Sequence, residues 1–336
     1  MDNPSLVIAG LLRRQYTLLP NGKVLLDVPG GNLLYAAAGA RLWSAESIGL
    51  LARVSADYPQ EWIDSWEKYN LNTSGIRRLN TTFDQRYFLA YSDLQTRHTD
   101  NPIHHFSQRG LPIPPKLLKY QDPTPLLDSR TALHPESIRQ NDVPASFWDT
   151  RAVYICPMDY LTHNLLPALF RQKGAHTVVL SPPSGYMTPV FWDQIPSVVT
   201  GLSAFLTSEN KIRALFHERS NDLWEMAEAL AAYGCEIIII KRGLGGQWVY
   251  DARSKKRWEI PAYPSQEVDP TGVGDSFGGG FLAGYLKTFD PVEAALHGNV
   301  AASLTIEGWE PFYALDALPG LAQARLEALH AKVLRL

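Results

Sequence analysis

The chain has 336 residues, 45% of them hydrophobic and 19% charged, with a net charge of −3. This balance predicts a globular protein with a well-buried core. Because Lys and Arg are scattered along a slightly acidic chain, we expect no nucleic-acid partner. No apolar run approaches the ~20 residues of a membrane-spanning helix, and Met1–Gly10 lacks the pattern of a secretory signal. Two isolated cysteines, Cys156 and Cys235, suggest neither a disulfide framework nor a zinc site, so we expect a cytoplasmic protein.

Short apolar strands alternate with helical patterns along the chain. We predict strands at 6–9, 86–91, 152–156, 177–180 and 236–240, and helices at 32–43, 57–69, 221–233 and 294–304. Asn221 suits the N-cap of its helix, and Gly234 suits the C-terminal end. The run Glu236–Ile240 is apolar on both faces, as in a central parallel strand. This alternation predicts a three-layer α/β sheet with helices on both sides.

Residues 98–145 break this alternation. The segment is polar, has no clear periodicity, and is punctuated by Pro102, Pro112, Pro114, Pro115, Pro123, Pro125 and Pro135. We interpret it as a long surface excursion that covers a site rather than as a separate domain. Its histidines, His98, His104 and His105, suggest a metal site, but a solvated loop is favoured because no Cys or carboxylate stands at the usual ligand spacing.

The glycine-rich stretch Asp269–Gly280, of sequence DPTGVGDSFGGG, is the most informative segment. Gly272 and Gly274 allow a tight turn that brings backbone amides, including that of Val273, near a ligand. The small and apolar residues after Asp275 predict a helix, and successive N–H groups at a helix N-terminus bind anions. A carboxylate at this place can accept a proton. The segment therefore indicates an anion site beside a base, although a glycine-rich turn with a helix-capping aspartate is the simpler alternative.

This segment resembles the signature of the ribokinase, or PfkB, family of carbohydrate and nucleoside kinases, Asp-Thr-Thr-Gly-Ala-Gly-Asp-x-Phe-x-Gly-Gly. The resemblance implies that Asp275 is the general base and that the amides of Gly272–Gly274 hold the phosphoryl group transferred from ATP. It also implies that Asp269 and Thr271 match positions that hold a monovalent cation such as K⁺ in several members.

Fainter matches to the family extend over nearly the whole chain. The residues at positions that the family places near the nucleotide are Lys241, Arg242, Gly243, Gly246 and Asn299, together with the altered Ser208 and Lys211. Those at positions near the acceptor are Gly30, Gly31 and Asn32, together with the altered Arg13 and Gln15. Two of these matches have simpler explanations, since Gly243 and Gly246 also fit a hairpin turn and Asn299 also fits a surface helix position.

Departures from the family pattern concern the acceptor and the metal. Gln15, preceded by Arg13 and Arg14, stands where the family usually has a substrate-binding aspartate. We expect one arginine to pair with a carboxylate or phosphate of the acceptor, unless both are solvated. The segment Ser208-Glu-Asn-Lys211 replaces the Asn-x-x-Glu motif that organises Mg²⁺. We expect the Lys211 ammonium to reach a nucleotide phosphate, unless it faces water.

Other classes of function find less support. Gly274-Asp-Ser-Phe-Gly278 fits the Gly-x-Ser-x-Gly elbow of α/β-hydrolases, but turn-forming residues precede it instead of an apolar strand. Neither a dinucleotide-binding Gly-x-Gly-x-x-Gly after the first strand nor a P-loop occurs. A non-catalytic binding protein on a kinase fold remains the main alternative.

The sequence thus predicts a single ribokinase-like domain over residues 1–336, a three-layer α/β/α sandwich with a small β-sheet lid. The lid is expected from segments 12–26 and 78–97. The expected reaction moves the γ-phosphoryl group of ATP, with Mg²⁺, to a hydroxyl of a sugar-like or nucleoside-like small molecule. Lids of this kind often bury a face against a second copy, so a homodimer is compatible with the resemblance.

Overall fold

The computed structural model describes residues 3–124 and 127–336. Met1 and Asp2, which begin the stretch tested for a signal sequence, lie outside the described residues, as do Pro125 and Leu126 of the proline-rich segment. Over the described ranges, no helix combines the length and the apolar character needed to cross a bilayer.

The described chain contains fourteen strands and ten α-helices. The strands are Leu6–Ala9 (β1), Arg13–Leu18 (β2), Val24–Gly30 (β3), Ile48–Val54 (β4), Leu71–Arg78 (β5), Arg86–Tyr91 (β6), Arg97–His98 (β7), Ala152–Ile155 (β8), Thr177–Leu180 (β9), Ala204–Ser208 (β10), Ile237–Lys241 (β11), Gln247–Asp251 (β12), Lys256–Ile260 (β13) and Leu334–Arg335 (β14). The helices are Asn32–Arg41 (α1), Gln60–Ser65 (α2), Pro102–Gln108 (α3), Tyr160–Gln172 (α4), Ile195–Val199 (α5), Glu209–Leu215 (α6), Leu223–Ala232 (α7), Val273–Thr288 (α8), Pro291–Thr305 (α9) and Leu321–His330 (α10).

Ten strands form the main sheet, in the order β14-β13-β12-β11-β10-β9-β8-β1-β4-β5. The strands from β11 to β5 in this order pair in parallel, whereas those from β11 to β14 pair antiparallel. Strand β11 lies at the boundary, so the prediction of a parallel strand is wrong for its pairing with β12. Its burial on both faces is confirmed, because Ile237 and Ile239 contact one hydrophobic core while Ile238 and Ile240 contact the other.

Each face of the main sheet packs on helices through its own core. One core contains apolar residues of α1, α8, α9 and α10, and the other contains residues of α4, α5, α6 and α7. This helix–sheet–helix arrangement confirms the predicted three-layer α/β architecture. The alternation of Ile side chains between the two faces of β11 is the direct consequence of strand geometry.

Four strands form a second, smaller sheet in the order β3-β2-β6-β7. One of its faces builds a separate small core with the proline-rich segment, formed by Tyr16, Leu18, Phe88, Ala90, Phe106 and Leu117. The predicted lid segments 12–26 and 78–97 include β2, β6 and β7, and β3 extends to Gly30. Residues 71–78 form β5 and join the main sheet instead.

All four predicted helices differ from the observed ones at their ends, since the helix predicted over 32–43 ends at Arg41 and the one predicted over 294–304 spans Pro291–Thr305. The helix predicted over 221–233 begins at Leu223, because the Asp222 carboxylate, rather than Asn221, accepts hydrogen bonds from the N–H groups of Trp224 and Glu225. The helix predicted over 57–69 is α-helical only over Gln60–Ser65 and continues as a 3₁₀ turn. Such differences are common because helix ends depend on single capping contacts.

The histidines of the proline-rich segment have a carboxylate neighbour that their spacing did not predict. The potential ligand atoms of His98, Asp100 and His105 all lie within 4.8 Å of one another. The His98 Nε2 atom also lies 2.8 Å from the Ser92 hydroxyl. The argument that no carboxylate comes near these rings is therefore wrong for Asp100.

Two glycines allow helices α1 and α8 to touch through their backbones. A Cβ on Gly39 would lie 2.1 Å from the Ser276 carbonyl oxygen, and one on Gly279 would lie 1.8 Å from the Ala36 carbonyl oxygen. Since neither position has room for a methyl group, α8 is held in one place against α1. This contact fixes where the N-terminus of α8, which carries Asp275, meets the sheet.

We predict that Gly279→Ala lowers the free energy of unfolding by about 1–3 kcal/mol, because the added methyl must displace backbone. The better helix propensity of Ala offsets part of this loss. Urea titration measures the change. The control is Gly245→Ala, whose Cβ would lie 3.4 Å from its nearest neighbour, the Arg242 Cβ atom. Equal stability of the two variants would contradict the packing argument.

Candidate active site

A cavity of about 1640 Å³ lies between the small sheet and the carboxyl ends of the parallel strands. Most of the predicted site residues line it: Arg13, Gln15, Gly31, Asn32, Ser208, Lys211, Lys241, Arg242, Gly243, Gly246, Thr271, Gly272, Val273, Gly274, Asp275 and Asn299. Gly30 and Asp269 are not part of the lining. The cavity therefore brings together residues that are far apart in the sequence.

Asp275 lies in the first turn of α8 and lines the cavity. Gly272 is the N-cap of this helix with φ 73°, and a Cβ there would lie 2.0 Å from the Tyr35 ring. Only glycine fits this backbone conformation and this contact. As a result, the backbone of Gly272, Val273 and Gly274 faces the cavity at the positive end of the α8 dipole.

Three cationic side chains lie near enough to the Asp275 carboxylate to influence its pKa. Burial raises the pKa of Asp275 to about 6, and the positive charges of Lys241, Lys211 and Arg97 oppose that rise. Lys241 Nζ donates a 3.0 Å hydrogen bond to the Gly274 carbonyl oxygen. One carboxylate among three cations gives this part of the cavity a positive balance, which suits a phosphate-rich ligand.

Lys211 faces the cavity rather than open water. Its Nζ donates a 2.7 Å hydrogen bond to the Pro182 carbonyl oxygen. Burial, together with repulsion from Lys241, lowers the pKa of Lys211 to about 8. The alternative that this residue is an ordinary surface lysine is therefore not supported.

The sequence did not single out Arg97, although it lay at the end of a predicted lid segment. It stands on β7 of the small sheet and lines the cavity. An arginine in a short strand has no distinctive local pattern. Its relation to Asp275 depends on how the small sheet lies over the main one.

The Arg242–Gly246 turn combines both explanations that its sequence allowed. It connects the antiparallel strands β11 and β12 as a hairpin, and it also lines the cavity. Gly246 has φ 78°, and a Cβ there would lie 2.0 Å from the Ile260 carbonyl oxygen. The Arg242 guanidinium already pairs with Glu259 at 3.0 Å, so its charge is partly used within the protein.

Asn299 is buried in α9, which excludes the surface alternative. Its side chain bonds the loop after β13, through the Tyr263 N–H and the Pro261 carbonyl oxygen. It also donates to Gln247, a second buried cavity residue that the sequence analysis missed. The sequence contained one indication of this role, since Gln247 is a polar residue at the start of an otherwise largely apolar strand.

The opposite end of the cavity is formed around the paired glycines. Gly31 caps α1 with φ 102°, and a Cβ on Gly30 would lie 2.3 Å from the Gln15 Oε1 atom. Asn32 uses both its polar atoms internally, accepting from the Leu11 N–H and donating to the Pro157 carbonyl oxygen. Asn32 therefore holds the backbone of this wall in place.

Neither arginine of β2 has a free charge for an acceptor. Arg13 is buried in an ion pair with Glu136 of the proline-rich segment. Arg14 donates a 2.8 Å hydrogen bond to Asp27 and is not among the lining residues. The expectation of an arginine that pairs with an anionic acceptor is therefore not supported by this geometry.

The proline-rich segment supplies part of the cavity wall, including Asp128, His134 and Glu136. Asp128 is anchored by two backbone hydrogen bonds, from its N–H to the Gly185 carbonyl oxygen and from the Tyr160 N–H to its carboxylate. Burial and the nearby Asp159 raise the pKa of Asp128 to about 6. This end of the cavity is thus rich in carboxylates.

The Asp269 carboxylate, beneath the glycine-rich turn, is nearly inaccessible. One oxygen accepts a 2.8 Å hydrogen bond from the Thr271 N–H. The other, Oδ2, is buried and has no hydrogen-bond partner among residues 3–124 and 127–336. The Thr271 hydroxyl lies 2.9 Å from the Tyr91 hydroxyl, which links the turn to the small sheet.

A family model described as pfkB family carbohydrate kinase matches residues 150–310. A cytidine kinase of Thermococcus kodakarensis is 25% identical over 305 residues, which are 90% of this chain and 96% of that protein. Protein MAK32 of Saccharomyces cerevisiae is 26% identical over 304 residues, or 84% of this chain and 78% of the yeast protein. The structure of an E. coli ribokinase II in complex with ATP and Mg²⁺ matches with a TM-score of 0.70 and 16% identity, over 98% of this chain and 99% of that one. Together, these similarities support a kinase of the ribokinase/PfkB type.

The similarity to the E. coli ribokinase II structure confirms the ribokinase-like fold, and the four-stranded sheet includes the strands predicted for its lid. In the segment Ser208–Lys211, a lysine stands where the Asn-x-x-Glu motif of the resemblance has its carboxylate. Ser208 begins α6 as its N-cap, and the helix directs Lys211 towards the same cavity as Asp275.

We predict a bell-shaped pH dependence of kcat/KM for ATP. A proton-accepting Asp275 must be ionised, so activity should fall as the pH drops below about 6. A phosphate-binding Lys211 must be protonated, so activity should fall as the pH rises above about 8. Because kcat/KM reports the free enzyme, Lys211→Arg should move only the alkaline limb upward. An unchanged alkaline limb would exclude Lys211 as its source.

Proposed function

We propose that this protein is an ATP-dependent phosphotransferase of the PfkB type that acts on a hydroxyl group of a small sugar-like or nucleoside-like molecule. The observation that carries the proposal is the position of Asp275. Its carboxylate stands beside the backbone of Gly272–Gly274, interacts with three cations, and lies in a cavity that extends to both sides of it. A substrate hydroxyl and the triphosphate of ATP can therefore both lie next to the Asp275 carboxylate, which can accept the hydroxyl proton.

The proposed roles follow from the two ends of the cavity. The nucleotide lies along the Arg242–Gly246 turn and α9, with its phosphates near Lys241, Lys211 and Arg97. The acceptor lies near Gly31, Gln15 and the proline-rich segment. The acceptor oxygen attacks the γ-phosphorus, its proton passes to Asp275, and the bond to the leaving ADP breaks. The cations and the amides of α8 stabilise the charge that develops on the phosphoryl oxygens.

Two metal ions are compatible with the residues present. The buried, unpartnered Oδ2 atom of Asp269 is suited to a monovalent cation, and we propose K⁺ there, with Thr271 beside it. For Mg²⁺ the chain offers Lys211 in place of a carboxylate, so the ion would be held mainly by the phosphates of ATP, as is common for this metal. Mg²⁺ would supply charge neutralisation between the β- and γ-phosphates.

The acceptor end favours a neutral molecule with many hydrogen-bond donors. Asp128 and Asp159 line this end, and Glu136 neutralises Arg13. Carboxylates accept hydrogen bonds from hydroxyl or amino groups and repel acidic ligands. Hence we propose a neutral sugar or nucleoside rather than a sugar acid or phosphosugar. The T. kodakarensis relative, a cytidine kinase, is consistent with this choice.

A non-catalytic nucleotide-binding protein is the second candidate. The observation in its favour is Lys211 in the place of a metal-organising carboxylate. Asp275 and its surroundings favour catalysis, and a turnover measurement separates the two.

We predict that Asp275→Asn reduces kcat by about 10²–10⁴, because asparagine cannot accept the hydroxyl proton. The amides of Gly272–Gly274 remain, so ATP affinity should stay within about threefold of wild type. The measurement is turnover over a panel of sugars, nucleosides, sugar acids and phosphosugars, with ATP affinity determined by calorimetry on the same folded sample. The control is Asp316→Asn, an exposed residue outside the cavity. Asp275→Asn turnover within about threefold of wild type would refute the proposed base.

We predict that Asp128→Asn raises the acceptor KM about tenfold, since it removes one charge-assisted hydrogen bond, while KM for ATP changes little. The assay uses the best neutral acceptor of the same panel. Exposed Asp193, replaced by Asn, is the matched control. Activity restricted to anionic acceptors would contradict the assignment of a neutral one.

A further inference from the structure

Gln247 is a buried polar residue to which the proposed mechanism gives no role. It begins β12, is 3% exposed, and forms part of the cavity wall. In the β11–β12 pair it lies directly opposite Lys241. The side chain therefore stands next to the phosphate-binding end of the cavity, on the side of α9.

The orientation of the neighbouring Asn299 amide is fixed by two backbone groups. The Tyr263 N–H can only donate, and it donates to Asn299 Oδ1 at 3.0 Å. The Pro261 carbonyl oxygen can only accept, and it accepts from Asn299 Nδ2 at 2.8 Å. A flipped amide would place donor against donor and acceptor against acceptor.

This orientation in turn fixes the Gln247 amide. Asn299 Nδ2 is a donor, so the atom of Gln247 that lies 3.1 Å from it must be Oε1. The Nε2 group of Gln247 is then a buried donor, and it has no partner within the described residues. Buried donors in folded proteins are nearly always paired, so an unpaired one in a cavity wall points to a ligand atom.

The neighbours of Gln247 indicate which part of a ligand would reach it. Gly246, Tyr263 and Ala302 line the same part of the cavity, and they offer little charge. The cations Lys241 and Lys211 lie on the phosphate side. A nucleotide whose phosphates contact those lysines would place its flat base against this wall.

We propose that Gln247 reads the base of the phosphoryl donor, by donating a hydrogen bond from Nε2 to a ring nitrogen or carbonyl oxygen of that base. The proposal rests on the proposed function, since it needs a nucleotide in this cavity. A base that presents an acceptor atom to Nε2 is favoured, and one that presents an amino group there is disfavoured. Gln247 thereby sets donor specificity, with Asn299 as the residue that orients it.

The first test measures binding of β,γ-methylene-ATP and of tripolyphosphate, which has no base, by calorimetry. Gln247→Met should weaken binding of the ATP analogue about 3- to 10-fold, the usual value of one hydrogen bond. Tripolyphosphate affinity should not change. Gln247→Glu, which replaces the donor by an acceptor, should weaken binding of the analogue further. The control is Gln323→Met, an exposed glutamine of α10.

The second test uses adenine nucleotides in which nitrogen 1, 3 or 7 is replaced by carbon, together with a guanine nucleotide. Wild-type protein should lose about 3- to 10-fold in affinity for the one analogue that lacks the paired atom. Gln247→Met should bind that analogue and its parent equally. A glutamine with only a structural role would not make the effect of the ligand change depend on the Gln247→Met substitution.

Free-protein stability provides a readout without ligand. Gln247→Met removes an unpaired buried donor, which favours the fold, but it also removes the Oε1 acceptor of one Asn299 N–H, which disfavours it. Because these effects oppose each other and Asn299 keeps its two backbone partners, the melting temperature should change little. Nucleotide affinities of Gln247→Met equal to wild type for every base would overturn the proposal and leave the kinase assignment intact. Failure of wild-type protein to bind any nucleotide would overturn both.

Discussion

The close contact between α1 and α8 determines where the chemistry takes place. Glycines remove the side chains that would keep these helices apart, so Gly279 rests on the Ala36 carbonyl and Gly39 on that of Ser276. Packed helix backbones have little freedom to slide. The N-terminus of α8, with its amides and Asp275, is therefore fixed relative to Gly31 at the start of α1. The α1–α8 contact thus holds the wall at Asp275 and the wall at Gly31 in a fixed relative position.

The distribution of charge in the cavity follows from the α1–α8 contact and from the order of the strands in the main sheet. Lys241 ends β11 and Lys211 follows β10, which are adjacent parallel strands, so their side chains emerge at the same edge of the sheet. Burial alone disfavours the charge of each group, as the raised pKa of Asp275 and the lowered pKa of both lysines indicate. Opposite charges offset part of this cost. The site is thus held ionised by mutual attraction.

Local patterns in the sequence were sufficient for the α/β class and for the glycine-rich turn. Strands such as Leu6–Ala9 and Thr177–Leu180 have the predicted bounds, because short apolar runs between turns have few other conformations. The antiparallel pairing of β11 with β12 could not be predicted from its apolar letters, since burial on both faces is the same for either direction. Arg97 and Gln247 were missed for a related reason. Their roles depend on which elements become neighbours, and no local spacing encodes that.

The acceptor end shows how a distant segment changes a site without touching its phosphoryl-transfer groups. Arg13 on β2 would be costly to bury alone, and the Glu136 carboxylate compensates its charge. That pair ties the proline-rich segment to the lid sheet, and the small core around Phe106 and Leu117 adds an apolar attachment. The same segment contributes Asp128 to the cavity wall. Because the charge of Arg13 is used for this attachment, it is not available to an anionic acceptor. In the function that we propose, Arg13 disfavours acidic acceptors indirectly, because it holds carboxylates at the acceptor end of the cavity.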